Sequence, residues 1–205
     1  MRDLFFDKAT HTYYYKGEKV PCVSDILAMV DVVMLKGIPQ RNLEIAAERG
    51  TRVHEATEDL EYGLLDIDDE KWLEENADIQ PYLIAYSNFL KTYPSYSVAR
   101  EESLYNENWG FAGTLDIVKS INGRLSIIDI KTSKTISGLR SMYQLTAYLL
   151  LWNGTHPNEL IEIGDLYILQ LKDNGEYRLI QVGGDYYRFN DLCVIYKDAK
   201  GDEKL

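Results

Sequence analysis

The dipeptide Asn122-Gly123 constrains this chain more than any other pair of neighbours in it. It separates two extended runs, Ala112 to Ser120 and Arg124 to Lys131. A two-residue hairpin needs left-handed backbone at both central positions, which asparagine and glycine tolerate best. A hairpin closed there has a fixed register: Ile117 faces Ile128, Asp116 faces Asp129 and Thr114 faces Lys131. Opposed residues have Cβ atoms roughly 5 Å apart, so two facing carboxylates weaken the ladder or push one pKa upward unless a cation sits between them. Alternation puts Thr114, Asp116, Asp129 and Lys131 on one face and Ile117, Ile128 and Ile130 on the other. The alternative for that polar face is a balanced patch of surface charge.

The rest of the chain frames this hairpin. His11 to Val20 reads as a short hairpin turning at Lys16-Gly17, and Ser24 reads as the N-cap of a helix through Ile26, Leu27, Met29 and Val30. A second helix spans about 42–62, with Leu43, Ala46, Ala47, Gly50, His54 and Thr57 at three-and-four spacing and Gly63 as its stop. An interior glycine costs about 1 kcal/mol relative to alanine, which suggests close approach by a neighbour at Gly50. The acidic run from Asp66 to Glu75 reads as solvated, and a third helix continues through Leu83, Tyr86 and Leu90 to end at Pro94. Then the period changes. Strands are expected at 97–105, 112–120, 124–131, 161–171 and 177–182, with helices at 139–152 and 186–197. That order describes an α/β fold with a mixed sheet, one unit of 205 residues, with helices and a hairpin in 1–95 and the sheet core in 96–205.

Composition narrows the function. With 22 Lys plus Arg against 33 Asp plus Glu, the net charge is −11, which argues against a protein that coats nucleic acid by neutralising phosphates. The two cysteines, Cys22 and Cys193, make no disulfide framework or metal knuckle and too few thiols for an iron–sulfur cluster. No signal peptide or membrane span is legible, so a cytoplasm, bacterial or that of an infected host cell, is expected. Tyrosine supplies 16 of the aromatic residues, which suits strands first and base stacking second.

Gly113-Thr114-Leu115-Asp116, then Ile127-Ile128-Asp129-Ile130-Lys131-Thr132-Ser133, then Gln144-Leu145-Thr146-Ala147-Tyr148 resemble the motifs of the PD-(D/E)xK nucleases, in particular the RecB-like and phage-type exonuclease branch. Gly50-Thr51-Arg52-Val53-His54 resembles that branch's helical His motif, and His11 to Leu27 the opening of its phage-type members. Leu115 stands where the family name has proline. The resemblance implies a restriction-endonuclease-like core, a mixed β-sheet flanked by helices. It also implies that Asp116 and Asp129 are metal ligands, that the Ile130 carbonyl completes the metal's edge, that Lys131 lies beside the attacking water, and that His54 is a further ligand. Gln144 and Tyr148, one helical turn apart, would position the scissile phosphate or its water.

Oxygen ligands select Mg²⁺ or Mn²⁺, and an imidazole shifts the preference toward Mn²⁺. The branch places one more acid on the preceding strand, so Glu101 or Glu102 is a candidate, and alternation lets only one of them face the site. Arg52 and Lys134 are candidate DNA contacts alongside Thr114; Arg49 and Arg140 are further local positive charges. The resemblance implies a metal-dependent deoxyribonuclease, an exonuclease acting on single strands or DNA ends, in phage or bacterial recombination, repair or DNA processing, with a recombination or replication protein as a partner. A structure-specific endonuclease on the same core, or a non-catalytic binding protein that kept the fold, are the alternatives.

Overall fold

The computed structural model describes residues 3–34 and 39–202. It begins with a three-stranded antiparallel sheet, β1 (Leu4–Asp7), β2 (Thr12–Tyr15) and β3 (Glu18–Val20), in that order. The β2–β3 turn falls at Lys16 and Gly17, whose φ values of 51° and 84° are the left-handed pair that a tight hairpin requires. Strand β1 was not foreseen, because four residues between turns carry too little periodicity to read.

Helix α1 (Val23–Met34) starts earlier than a Ser24 cap would allow. Asp25 Oδ2 reaches back to accept from the Cys22 N–H at 2.9 Å, so the acid in the first turn satisfies the helix end and Ser24 does not. Helix α2 (Gln40–Glu61) closes at Gly63, φ 69°, with the Leu64 N–H returning to Asp59 O at 2.8 Å. Its buried residues are Val53, Ala56 and Thr57. The first half of the expected face therefore stays open, and a Cβ on Gly50 would meet nothing within 4 Å, contrary to the close approach inferred from its cost. The single third helix expected from the sequence is two, α3 (Glu70–Asn76) and α4 (Gln80–Thr92). Pro81 has no N–H to offer the preceding turn, so the helix restarts there.

The main sheet comprises β4 (Ser97–Asn106), β5 (Phe111–Ile121), β6 (Arg124–Lys131), β7 (Leu166–Leu171) and β8 (Tyr177–Gln181), adjacent in that order. All neighbours are antiparallel except β6 and β7. A parallel pair needs a long crossover, which helix α5 (Gly138–Thr155) provides; α6 (Tyr186–Asp202) ends the described chain. Strand β7 begins at Leu166 and not near Ile161, because Glu162 and Asp165 are engaged by the Arg124 side chain. One face of the sheet packs Leu115, Val118 and Ile127 against Val23 and Leu27 of α1, Leu145 and Trp152 of α5 and Phe189 of α6. The other packs Ile117, Ile128 and Ile130 against Val53 of α2 and Leu83, Tyr86 and Phe89 of α4.

The β5–β6 register agrees with the hairpin argument from Ile121↔Arg124 to Ile117↔Ile128. There the ladder stops, although β5 continues toward Phe111 and β6 to Lys131, so Thr114 does not pair with Lys131. The parity of β5 also changes: Leu115 and Ile117 should share a face, yet they lie in opposite cores. Strand β4 changes at the same level, between Arg100 and Glu102, with Glu101 at φ 45°. Glu101 and Asp116 thus sit side by side where two neighbouring strands break step. No helix among the described residues is long and apolar enough to cross a membrane.

Candidate functional site

The break in both strands turns two acids toward α2. His54 Nδ1 lies 3.4 Å from Glu101 Oε1 and 3.7 Å from Asp116 Oδ1. One ligand atom from each of these three residues falls within 4.8 Å of the others. The second oxygen of Asp116, Oδ2, accepts the Ile130 N–H at 2.7 Å, filling the place where the interrupted ladder leaves a backbone donor. The Ile130 carbonyl faces His54 Nε2 at 3.3 Å. A carbonyl only accepts, so Nε2 carries hydrogen and a neutral imidazole turns its Nδ1 lone pair toward the carboxylates. The Ile130 backbone therefore orients both residues, Asp116 through its N–H and His54 through its carbonyl.

Burial disfavours a charged His54, but Asp116 and Glu101 outweigh it and lift the pKa to about 9. Asp129 is buried beneath, with Oδ2 2.6 Å from Lys131 Nζ and Oδ1 without a hydrogen-bond partner among the described residues. Its carboxyl is raised by burial first, with Lys131 opposing and Asp116 adding to the rise. From α5, Gln144 Oε1 lies 3.2 Å from Lys131 Nζ, while its Nε2 donates to the Tyr148 hydroxyl at 3.0 Å. Burial, then Asp116 and Asp129, hold the Tyr148 phenol well above its ordinary pKa, so it stays protonated.

Of the expected residues, His54, Asp116, Asp129, Ile130, Lys131, Gln144 and Tyr148 come together, and Glu101 joins them. Glu102 faces away, 3.9 Å from His156 Nε2. Thr114 gives its hydroxyl to a half-buried cluster, 2.7 Å from both Tyr13 Oη and Ser103 Oγ. The Arg52 guanidinium is occupied by both oxygens of Asp78, at 2.8 and 2.9 Å, and by Asn76 Oδ1 and Glu75 O, which removes it as a free DNA contact. Lys134 is exposed, 3.1 Å from Asp173, and lines two adjoining hollows of about 260 and 410 Å³ with Gln170 and Arg178 beyond the end of β6.

Sequence reasoning missed the supports beneath the site. Arg100 bonds Thr57 Oγ1 at 3.1 Å and Tyr86 Oη at 3.0 Å, and Thr57 bonds His54 O at 2.8 Å. Glu61 balances Arg100 and Lys119, at 3.6 and 3.7 Å. This network ties the α2 turn bearing His54 to the strand bearing Glu101. Only the tertiary fold brings these residues together, so no local signal announces them.

The donor set fits a divalent cation. Three ligand atoms converge, His54 Nδ1 is aimed among carboxylates, and Asp129 Oδ1 is buried without a hydrogen-bond partner among the described residues. Hard oxygen donors with one imidazole suit Mg²⁺ or Mn²⁺.

A five-stranded mixed sheet flanked by helices, with a DxK strand at its centre, defines a restriction-endonuclease-like α/β fold. The model of the PD-(D/E)XK nuclease superfamily matches residues 32–188, and the chain belongs to that superfamily. A crystal structure of a putative exonuclease from Eubacterium rectale is similar, at 14% identity and a TM-score of 0.46, covering 77% of this chain. The chain spans 65% of that protein's length. No curated protein matches the chain.

Proposed function

We propose that this protein is a metal-dependent DNA exonuclease whose site is built by His54, Glu101, Asp116, Asp129 and Lys131, with Gln144 and Tyr148 beside it. The observation that carries the reading is the convergence of His54, Glu101 and Asp116 next to a buried, incompletely bonded Asp129. Mg²⁺ or Mn²⁺ would be held by the first three residues and by Asp129; when bound, such an ion polarises a phosphate oxygen and lowers the pKa of an attacking water. The chain's own groups do the rest. Lys131, held between Asp129 and Gln144, places a positive charge beside the attacking water, where it stabilises the negative charge that develops as the water attacks. Tyr148 offers a phenolic hydrogen, and Gln144 fixes both groups. Ile130 keeps His54 and Asp116 in place through its backbone.

The exonuclease reading rests on charge. A chain of net charge −11, with Arg52, Arg124 and Lys134 in ion pairs, suits one short strand or DNA end better than a long duplex track. Phage or bacterial DNA processing is the setting that this activity fits. Incubation of end-labelled single- and double-stranded DNA, linear and closed circular, with Mg²⁺, Mn²⁺ or chelator tests it. Linear substrates should disappear from their ends with metal and survive chelation. Nicking of the closed circle would make the protein an endonuclease, and metal-independent cleavage would remove the proposed site.

A further inference from the structure

Arg140 differs from the other basic residues near the site. It lies in the first turn of α5, one turn before Gln144, and its side chain is 29% exposed. Nε donates to Asp31 Oδ1 at 2.6 Å, one Nη2 hydrogen goes to Asp31 Oδ2 at 3.2 Å and one Nη1 hydrogen to Gln144 Oε1 at 3.2 Å. A guanidinium has five N–H donors in one plane. Two remain, one on each terminal nitrogen, with no acceptor among the described residues. The same Gln144 oxygen lies 3.2 Å from Lys131 Nζ, so the two cations flank one acceptor at the edge of the site.

We propose that Arg140 is a substrate-contacting residue whose two remaining donors receive a non-bridging oxygen of the DNA backbone, with Asp31 holding the guanidinium in place. The inference rests on the DNA-hydrolase reading of the site. Arginine pairs with phosphate through a planar, pre-oriented fork, and a carboxylate clamped on one side of the guanidinium fixes the direction in which the rest of the fork points. Asp31 is on α1, just before the span that the superfamily model matches. The N-terminal segment of this chain therefore orients a phosphate contact on a helix of the shared core.

The rival role for Arg140 is positional: it would act only by steadying Gln144 and, through it, Lys131. Binding and turnover separate the two. Affinity for a short 5′-phosphorylated single-stranded oligonucleotide, measured by fluorescence anisotropy with Ca²⁺ across a salt series, should fall about tenfold or more in Arg140→Ala, and the slope of log affinity against log salt should drop by about one. Arg140→Lys keeps the charge and loses the fork, so its slope should match the wild type while its affinity stays several-fold weaker. Asp31→Asn should weaken binding in the same direction. Calorimetric Mn²⁺ affinity should be unchanged in all three, which also shows that they are folded. Wild-type affinity and slope in Arg140→Ala, with kcat alone reduced, would overturn the proposal and leave Arg140 a positioning residue. A wild-type protein that neither binds nor cleaves DNA would instead overturn the function proposed above, and this inference with it.

Discussion

Metal uptake by this protein should expel a proton from His54, and the size of the effect follows from the contacts of its ring. Nε2 keeps its hydrogen for Ile130 O, so the second proton of the imidazolium sits on Nδ1, between Glu101 and Asp116. Burial opposes that charge, the two carboxylates favour it more strongly, and the pKa rises from 6.5 to about 9. At pH 7 the neutral ring is then roughly 1% of the metal-free protein, and competition with the proton costs a bound cation about 3 kcal/mol. Apparent Mn²⁺ affinity should rise about tenfold per pH unit between 7 and 8 and level off above about 9. Calorimetry in two buffers of different ionisation enthalpy counts the protons: about one released per ion at pH 7, falling toward none above 9. Burial also raises the Asp129 carboxyl, and His54→Gln isolates the histidine's share of the released protons. Wild-type affinity that is flat from pH 7 to 9, or a His54→Gln variant with the wild-type pH dependence, refutes the assignment of Nδ1 as the shared proton and metal position.

Asp116→Ala and Asp129→Ala should each abolish metal-dependent cleavage in a gel assay while the fold survives, because a cation site is lost and no apolar packing is removed. Glu61→Ala leaves Arg100 and Lys119 buried without their counter-charge, so a urea titration should show a loss of about 3–5 kcal/mol. Gly113→Ala places a methyl 2.8 Å from Val23 Cγ2 and 3.0 Å from Leu151 Cδ1; overpacking there should cost about 1–3 kcal/mol, read as a lower Tm.

The sequence made most of the element order, the Asn122-Gly123 register as far as Ile117 and Ile128, and most of the candidate-site residues legible, because each is written locally: a turn dipeptide, a period, a motif on one strand or one helix. What stayed hidden is where local rules are broken. Strict alternation cannot forecast that β4 and β5 lose step together at Glu101 and Asp116, yet that break takes Leu115 to one core and Ile117 to the other and frees both acids to meet His54. Facing Asp116 with Asp129 across an unbroken ladder was for the same reason only half the arrangement: the ladder ends one pair earlier and the Asp116 carboxylate takes up the Ile130 N–H. The pairing of Arg52 was not legible because its partners, Asp78 and Asn76, lie on a segment brought alongside only by the turn between α2 and α3.

On the proposed function, the charge of the site is what lets an acidic chain receive phosphate, and it does so conditionally. Three carboxylates, Glu101, Asp116 and Asp129, stand against Lys131, so the site is doubly negative when His54 is neutral and all three acids are ionised. An imidazolium removes half of that excess and a divalent ion removes all of it, which makes the His54 proton a partial substitute for metal. DNA affinity in chelator should therefore weaken as pH rises from 7 through about 9, the pKa of His54, because deprotonation restores a charge that repels phosphate. With saturating Mn²⁺ the proton is already displaced and affinity should stay level over the same range. His54→Gln should bind DNA weakly and without this pH dependence in chelator. Equal pH slopes with and without metal would mean that His54 does not control the field that the DNA meets.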